Sequence, residues 1–594
     1  MKKIDKYARL ALPILMTVVA WLFFGVFYRW HLLYFEGNHL FLWTADYARE
    51  TICHLGGLGD YVMRFLVQFY HFPLLGGAIV ALLLVALQQG VQRVVQRATS
   101  SNALWPLSFV PSLFYWALLC NEDYTPVGLL AMVAAIWTVV GLMRLNNGWL
   151  RSIAVLVGLI ALWLAVGGGA VIALVAVVAV ELATKRDWRV LLWKTSDKAV
   201  VDVEDGVVTA VAPGTAVVAA VVAAIWYLRP WQLSDEMMVT GGIYFRHWDI
   251  KLDVFYKLWA ATAAVIIVPI VVARYIREWI NVVALVAVVG ATVVILPKHY
   301  DSNSEDTMAY YCLTRNGKWN EVIERARKHD PQTRPAMICL NLSLVMTGQS
   351  GENLFDFPQY GPAGLFMTYE EDLIFCGEVL FNLGFINEAQ RYAYEMMVTY
   401  SYLQRSAFTV TRLAETNMIA GRNEVARKYL NALKHTLFYR KWANNRLELL
   451  DIPKAIDEHR LYGKLRRNQP VENFAFFSAK FDKMLEEMVD QRPENREAYD
   501  YLMAFYLLYK NVDAFAERLI IPASGLPRAY EEAFAMVCRI NHVDTSTLPS
   551  NLNRATFDRL ERYIRAYNLS GNNPNVMEKD WGRSYWFYTN FIRF

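Results

Sequence analysis

The chain has few cysteines, little net charge and no familiar catalytic signature, and each of these absences excludes something. Six cysteines occur in 594 residues, none in a CxxC pair. That pattern argues against a thiol redox motif or a zinc site of the usual spacing. No Walker loop, zinc-protease helix, GxSxG elbow or glycine-rich turn after a strand is present. A net charge of only +4 gives no electrostatic footprint for nucleic acid. Ionisable groups are almost missing from the apolar runs of the first half. A charge in mid-bilayer costs at least ~2.5–3.5 kcal/mol, so ion-coupled transport is disfavoured. Strand signals are scarce after Tyr310.

What is there is hydrophobicity, unevenly spread. Hydrophobic residues make up 55% of the chain and charged ones 19%, with mean hydropathy +0.22. The apolar runs stop near residue 297, and a soluble composition follows. About 20 apolar residues span a bilayer core. The expected spans are 10–28, 74–92, 103–120, 125–143, 152–166, 168–180, 207–228, 258–273 and 279–297, about nine in all. The basic start MKKIDKYAR suits a signal peptide, but the following run ends in bulky aromatics with no small-residue cleavage pattern, so it reads as a retained first span. The expected fold is all-α: a polytopic membrane domain over 1–297 and a helical-repeat domain over 298–594.

Orientation follows the basic loops. Arg93 and Arg97, Arg144 and Arg151, the Lys185–Lys198 loop, and Arg274 with Arg277 fall in alternate loops. A cytoplasmic N-terminus puts them all inside. It leaves 29–73, 121–124 and 229–257 outside, and an odd span count puts 298–594 outside as well. Cys53, Cys120, Cys312, Cys339, Cys376 and Cys538 then lie on the outer side. One or two disulfides are permitted there, although Cys312, Cys339 and Cys376 sit in apolar helical patterns and read better as core residues.

The second half repeats itself. LFNLGFINEAQRYAYEMM (380–397) aligns with TNMIAGRNEVARKYLNAL (416–433), setting Gly384 over Gly421, Ala389 over Ala426 and Tyr392 over Tyr429. Gly317 and Gly348 fit the same frame more loosely. This resembles the tetratricopeptide pattern, whose helix pairs stack into solenoids with a concave partner surface. With RLAETNMIAGRNEVARKYLNALKHTLFYRKWA (412–443), NLGFINEAQRYAYEMM (382–397) and NGKWNEVIERARKH, the chain resembles an uncharacterised family of polytopic membrane proteins from Bacteroidales. The resemblance implies a bacterial inner-membrane setting with a periplasmic C-terminal domain, and no activity.

The outer loops hold the candidate chemistry. HLFLWTADYARETICHL is expected to form one interfacial helix with Leu40, Trp43 and Tyr47 toward lipid. Asp46 and Glu50, four apart, share a helical face. Glu122 and Asp123 sit side by side in LCNEDYTPV, either as a short solvated turn or as a catalytic or metal-binding edge. The layout resembles glycosyltransferases of the GT-C type, which place an acid in a long first outer loop and, in some, further acids in the next. The matching positions are Glu36 or Asp46, then Glu122 and Asp123.

That resemblance implies transfer of a sugar or glycan from a polyprenyl-phosphate carrier to a periplasmic protein or glycan acceptor. Such transfer needs a carboxylate to take the acceptor proton and a cation to offset the departing phosphate. Arg229, Arg246 and His247 are candidate substrate-binding cations. Asp46, Glu122 and Asp123 are candidate ligands for a divalent cation, Mg or Mn. The alternative is a non-enzymatic membrane scaffold whose periplasmic repeats recruit envelope proteins.

Overall fold

A computed structural model describes residues 2–145, 148–184, 253–273, 275–277, 279–366, 373–399, 406–472, 474, 480–544 and 548–594. Every regular element among them is helical. The chain divides into two compact units that meet in sequence between Asp301 and Ser302.

In the first unit the helices are α1 (Lys2–Leu22), α2 (Arg29–Gly37), α3 (Ala45–Ile52), α4 (Gly57–Val67), α5 (Pro73–Thr99), α6 (Val110–Leu118), α7 (Val127–Leu142), α8 (Gly148–Val166), α9 (Gly169–Thr184), α10 (Asp253–Val272) and α11 (Ile280–His299). Among the described residues, four helical stretches are long and apolar enough to cross a membrane: Asp5–Phe27, Pro73–Thr99, Asp253–Val272 and Ile280–His299. They correspond to the expected spans at 10–28, 74–92, 258–273 and 279–297. The helices at 125–143, 152–166 and 168–180 form but are shorter apolar elements. The 103–120 run is broken into a 3-10 segment, Trp105–Phe109, and the nine-residue α6, each with a proline near its start. The 207–228 run lies outside the described residues.

Packing in this unit is tight where side chains are smallest. α1 runs into a π-helical turn, Phe23–Phe27, which lies against α5. A Cβ on Gly77 would come within 2.6 Å of the Gly25 backbone nitrogen. Several polar groups inside the bundle are paired across helices. Gln88 Nε2 donates to Ser108 Oγ at 2.8 Å, and Ser112 Oγ to the Leu84 carbonyl at 2.8 Å. The Asp5 carboxylate accepts from Trp105 Nε1 at 2.8 Å, while Asn281 Oδ1 accepts from the Leu104 amide at 2.7 Å. These bonds fasten α1 and α11 to the start of the 3-10 segment.

The second unit is a run of short amphipathic helices. Those used below are α12 (Ser302–Arg315), α13 (Trp319–Lys328), α14 (Arg334–Met346), α15 (Leu373–Leu383), α16 (Ile386–Thr399), α17 (Ala407–Ile419) and α18 (Asn423–Lys434). Four of them, α12, α14, α15 and α17, end in one and the same turn. Gly317, Gly348, Gly384 and Gly421 all have positive φ. The amide after each glycine donates to the carbonyl five residues back: Lys318 to Leu313, Gln349 to Leu344, Phe385 to Leu380 and Arg422 to Asn417. This is the glycine-terminated helix end that satisfies otherwise orphaned carbonyls. At Gly384 space is as limiting as φ, since a Cβ there would lie 2.8 Å from the Asn468 carbonyl oxygen. Ala389 and Ala426 are buried at 1% and 0% exposure, so α16 and α18 approach their neighbours over a small side chain.

A buried ionic network joins α12, α15 and α17. Arg315 Nη1 lies 3.3 Å from Glu378 Oε1 and its Nη2 3.4 Å from Glu415 Oε2. Arg412 pairs with Glu378 and, at 3.1 Å, with Glu415, and its guanidinium sits 3.4 Å from the Phe381 ring centre. Tyr462 OH donates to Glu415 Oε1 at 3.2 Å. Burial pushes the Glu378 carboxyl up to about 7, with Arg315 opposing and Glu415 adding to the shift.

The cysteines form no disulfide. All six are free, with Cys312, Cys339, Cys376, Cys120 and Cys538 buried and Cys53 exposed. This removes the permitted bridges and leaves the apolar-core role.

Candidate functional site

The segment 29–73 folds differently from the one long interfacial helix expected within it. α3 starts only at Ala45, because Thr44 takes an extended conformation and its hydroxyl caps the Tyr47 amide at 3.3 Å. A side-chain acceptor there satisfies one of the first-turn donors, and the helix begins at that point. Residues 39–44 are irregular. Leu40 and Tyr47 are buried, while Trp43 is 54% exposed. Of the three residues expected to face lipid, two therefore face the protein.

The candidate acids separate by environment. Asp46 and Glu50 are both exposed on the outer face of α3. Glu36, near the end of α2, is 5% exposed. Its Oε2 lies 3.7 Å from Nδ1 of His71, whose side chain keeps 41% of its surface open. Around this pair, three further side chains are buried with polar atoms that have no hydrogen-bond partner among the described residues: both amide atoms of Asn38, the carbonyl of Gln68 and the hydroxyl of Tyr70. Asn38 closes α2, and Gln68–His71 form the 3-10 turn packed against that helix. Burial raises the Tyr70 hydroxyl well above its ordinary range, so it stays a protonated donor. Buried polar atoms without protein partners are rare in folded proteins and are usually matched by water or a ligand.

Aromatic rings at helical spacing support this cluster from below. Tyr28 stacks on His31 with centroids 4.7 Å apart, His31 follows Phe35 at 6.4 Å, and Phe35 stacks on His39 at 4.5 Å. Phe35 also meets Tyr70 at 6.1 Å. At the foot of the ladder, the Tyr28 hydroxyl donates to the Cys120 carbonyl. That bond anchors α2 to the residue preceding the NEDY turn. Eight residues, roughly 12 Å of helix axis, separate Tyr28 from Glu36.

The NEDY segment itself is a turn between α6 and α7. Asn121 Oδ1 accepts from the Asp123 amide at 2.8 Å, and the Asn121 carbonyl from the Tyr124 amide at 3.4 Å. A side chain bonding the backbone two residues on is the usual Asx device for reversing a chain. Glu122 and Asp123 are half-buried. Among the described residues no group of three or more His, Cys, Asp or Glu is placed to hold a metal ion, so Asp46, Glu122 and Asp123 do not form one. Arg229, Arg246 and His247 lie outside the described residues, as does most of the 229–257 loop.

One charged pair escaped the reading of the sequence. Arg64 Nε donates to both oxygens of Asp60 at 2.8 and 2.9 Å, and His54 Nε2 lies 4.0 Å from Asp60 Oδ2. Burial works against the Arg64 cation, but Asp60 outweighs it and holds the guanidinium above its usual pKa. Burial likewise raises Tyr47, with Arg64 opposing. The signal was available. Asp60 and Arg64 stand four apart in GLGDYVMRFLV, an otherwise uncharged amphipathic helix.

These features define an all-helical protein with helices of membrane-crossing length and a buried carboxylate beside a half-open imidazole in the segment between the first two. The chain belongs to the family of unknown function DUF6057, whose family model matches residues 6–592. No curated protein and no solved structure matches it.

Proposed function

We propose that the protein is a membrane glycosyltransferase or oligosaccharyltransferase of GT-C-like layout, moving a sugar or glycan from a polyprenyl-phosphate carrier to a periplasmic acceptor. In this reading about nine spans sit in a bacterial inner membrane, with the N-terminus cytoplasmic and the tetratricopeptide-like second half periplasmic. The observation that carries it is Glu36: a buried carboxylate beside His71, in the first outer loop, among buried amide and hydroxyl groups without hydrogen-bond partners among the described residues. Amide and hydroxyl groups of that kind suit sugar hydroxyls, which both donate and accept.

Glu36 takes the proton of the acceptor hydroxyl, and the acceptor oxygen forms the new bond to the sugar anomeric carbon. The bond from that carbon to the carrier phosphate breaks, and the phosphate leaves with the electron pair. His71, within 3.7 Å, holds the carboxylate in place and supplies positive charge when protonated. No step is assigned to a metal, since the candidate ligands do not converge among the described residues.

The test is complementation of a deletion strain's glycan profile, with membrane abundance measured alongside. Glu36→Gln should abolish transfer at normal abundance, whereas Asp46→Asn, on an exposed face, should retain it. Glu122→Gln and Asp123→Asn separate a catalytic edge from the Asx turn, which the amides preserve. Full complementation by Glu36→Gln, Glu122→Gln and Asp123→Asn would sink the carboxylate mechanism. It would leave in front a membrane scaffold whose repeats recruit envelope proteins, a role for which the paired helices and shared turns of the second unit are suited.

A further inference from the structure

One open space in the first unit is apolar, and none of its lining residues belongs to the Glu36 cluster. It is a groove of about 510 Å³ between α1, α6 and α11, lined by residues such as Met16, Phe23, Leu113, Trp116, Val289 and Tyr300. Two of its three walls, α1 and α11, are helices of membrane-crossing length. Beyond the groove their apolar surface continues outward: Leu10, Ile14, Val286 and Val294 are 57–68% exposed. An apolar slot open to an apolar exterior exchanges its contents with that exterior.

We infer that this groove seats one acyl chain of an anionic bilayer phospholipid. Three observations choose this occupant. The lining is almost wholly hydrocarbon: the Thr292 hydroxyl is already committed to the Val288 carbonyl at 2.7 Å, and Trp116 and Tyr300 are the other lining side chains with a polar atom; the guest is therefore a hydrocarbon. A methylene displaces about as much volume as a water molecule, roughly 30 Å³. The space therefore holds on the order of 17 carbons, one acyl chain, and much less than a long polyprenol. Finally, Lys298 and His299 occupy the last turn of α11, directly beside groove residues Pro297 and Tyr300. A cation at a helix C-terminus is favourably placed, and at this end of the groove Lys298 meets a lipid phosphate. A polyprenyl-phosphate tail is the competing occupant, and the experiment is built to detect it.

The test is native mass spectrometry of the full chain released from membranes in mild detergent, followed by lipid identification. The native chain should carry one phospholipid, predominantly anionic. Val289→Trp and Leu113→Trp fill the groove from opposite walls and should reduce the bound fraction at least tenfold. Val286→Trp, on the outward face of α11, should leave it unchanged and so controls for general disturbance of that helix. Lys298→Ala, which does not touch the packing, should keep a bound lipid but lose the preference for an anionic headgroup. Retention of lipid by both groove-filling variants would overturn the assignment, as would recovery of a polyprenyl phosphate as the bound species. Neither outcome depends on transfer activity, so the inference stands or falls separately from the proposed catalysis.

Discussion

Arg412→Ala should loosen the second unit by several kcal/mol, and the network around it fixes both the size and the pH dependence of the effect. The side chain is 7% exposed and pairs with Glu378 and Glu415, themselves 5% and 12% exposed. Removing one partner of a buried ion pair typically costs about 3–5 kcal/mol, because a charge is left without compensation. Loss of the contact with the Phe381 ring adds about 0.5–2 kcal/mol. Both carboxylates retain Arg315, but Glu415 also keeps Tyr462, so the deficit falls mainly on Glu378.

The Glu378 carboxyl is raised to about 7 in the folded chain against an ordinary 4.5. A carboxyl raised by folding binds its proton more tightly in the native state, so its contribution to stability is fullest below pH 4.5 and is lost as pH rises to about 7. At 1.36 kcal/mol per unit, that window amounts to about 3 kcal/mol. The Arg412→Ala penalty should therefore be largest near pH 8 and shrink toward pH 5.5, where protonation neutralises the abandoned carboxyl. Hydrogen exchange of the full chain in detergent reads this directly. Amides of α15 and α17 should exchange at least ~100-fold faster in the variant at pH 8, after correction for intrinsic rates. Adding Glu378→Leu should restore much of the protection. A change below tenfold at pH 8, or a penalty that grows on acidification, would refute the argument.

Two other outcomes are expected. Gly384→Ala should lower the unfolding temperature more than Gly421→Ala: both force a side chain to positive φ at about 1–2 kcal/mol, but only at 384 does the new Cβ meet a neighbour, 2.8 Å from Asn468, whereas nothing lies within 4 Å at 421. Equal shifts would show that the Asn468 contact relaxes freely. For topology, a reporter active only in the cytoplasm should be silent when fused after Phe594, and strong activity there would remove the case for periplasmic chemistry.

The helical character of the chain and its four longest apolar helices were legible because hydropathy over about 20 residues and 3.6-residue periodicity are strong local signals. The helix ends in the second half were legible for a related reason. Gly317, Gly348, Gly384 and Gly421 each mark a turn that non-glycine residues enter at a cost. What misled was the loop 38–53. An apolar, aromatic string such as HLFLWTADY fits a helix by composition, but Thr44 is a better cap than interior residue, and the chain obeys the cap. Composition says nothing of which side is water: Leu40 and Tyr47, expected toward lipid, are both buried, and Tyr47 meets the rings of Phe41 and Tyr61.

The candidate site shows the same limit more sharply. Sequence can nominate an acid but not its burial, and burial is what separates Glu36 from Asp46: the two lie ten residues apart with near-identical intrinsic acidity. Glu36 falls at the end of α2, where the 3-10 turn Gln68–His71 covers it, and the partner in that cover is more than 30 residues away in sequence. Asp46 falls in the first turn of α3, where a carboxylate favours the helix dipole and needs no other reason to be there. The exposed acid is thus explained by its own helix. The buried one is not, since burying a carboxylate is costly and the fold keeps it beside His71 and a set of amide and hydroxyl groups unmatched among the described residues. That asymmetry, invisible in the string of residues, is why Glu36 bears the proposed chemistry and Asp46 does not.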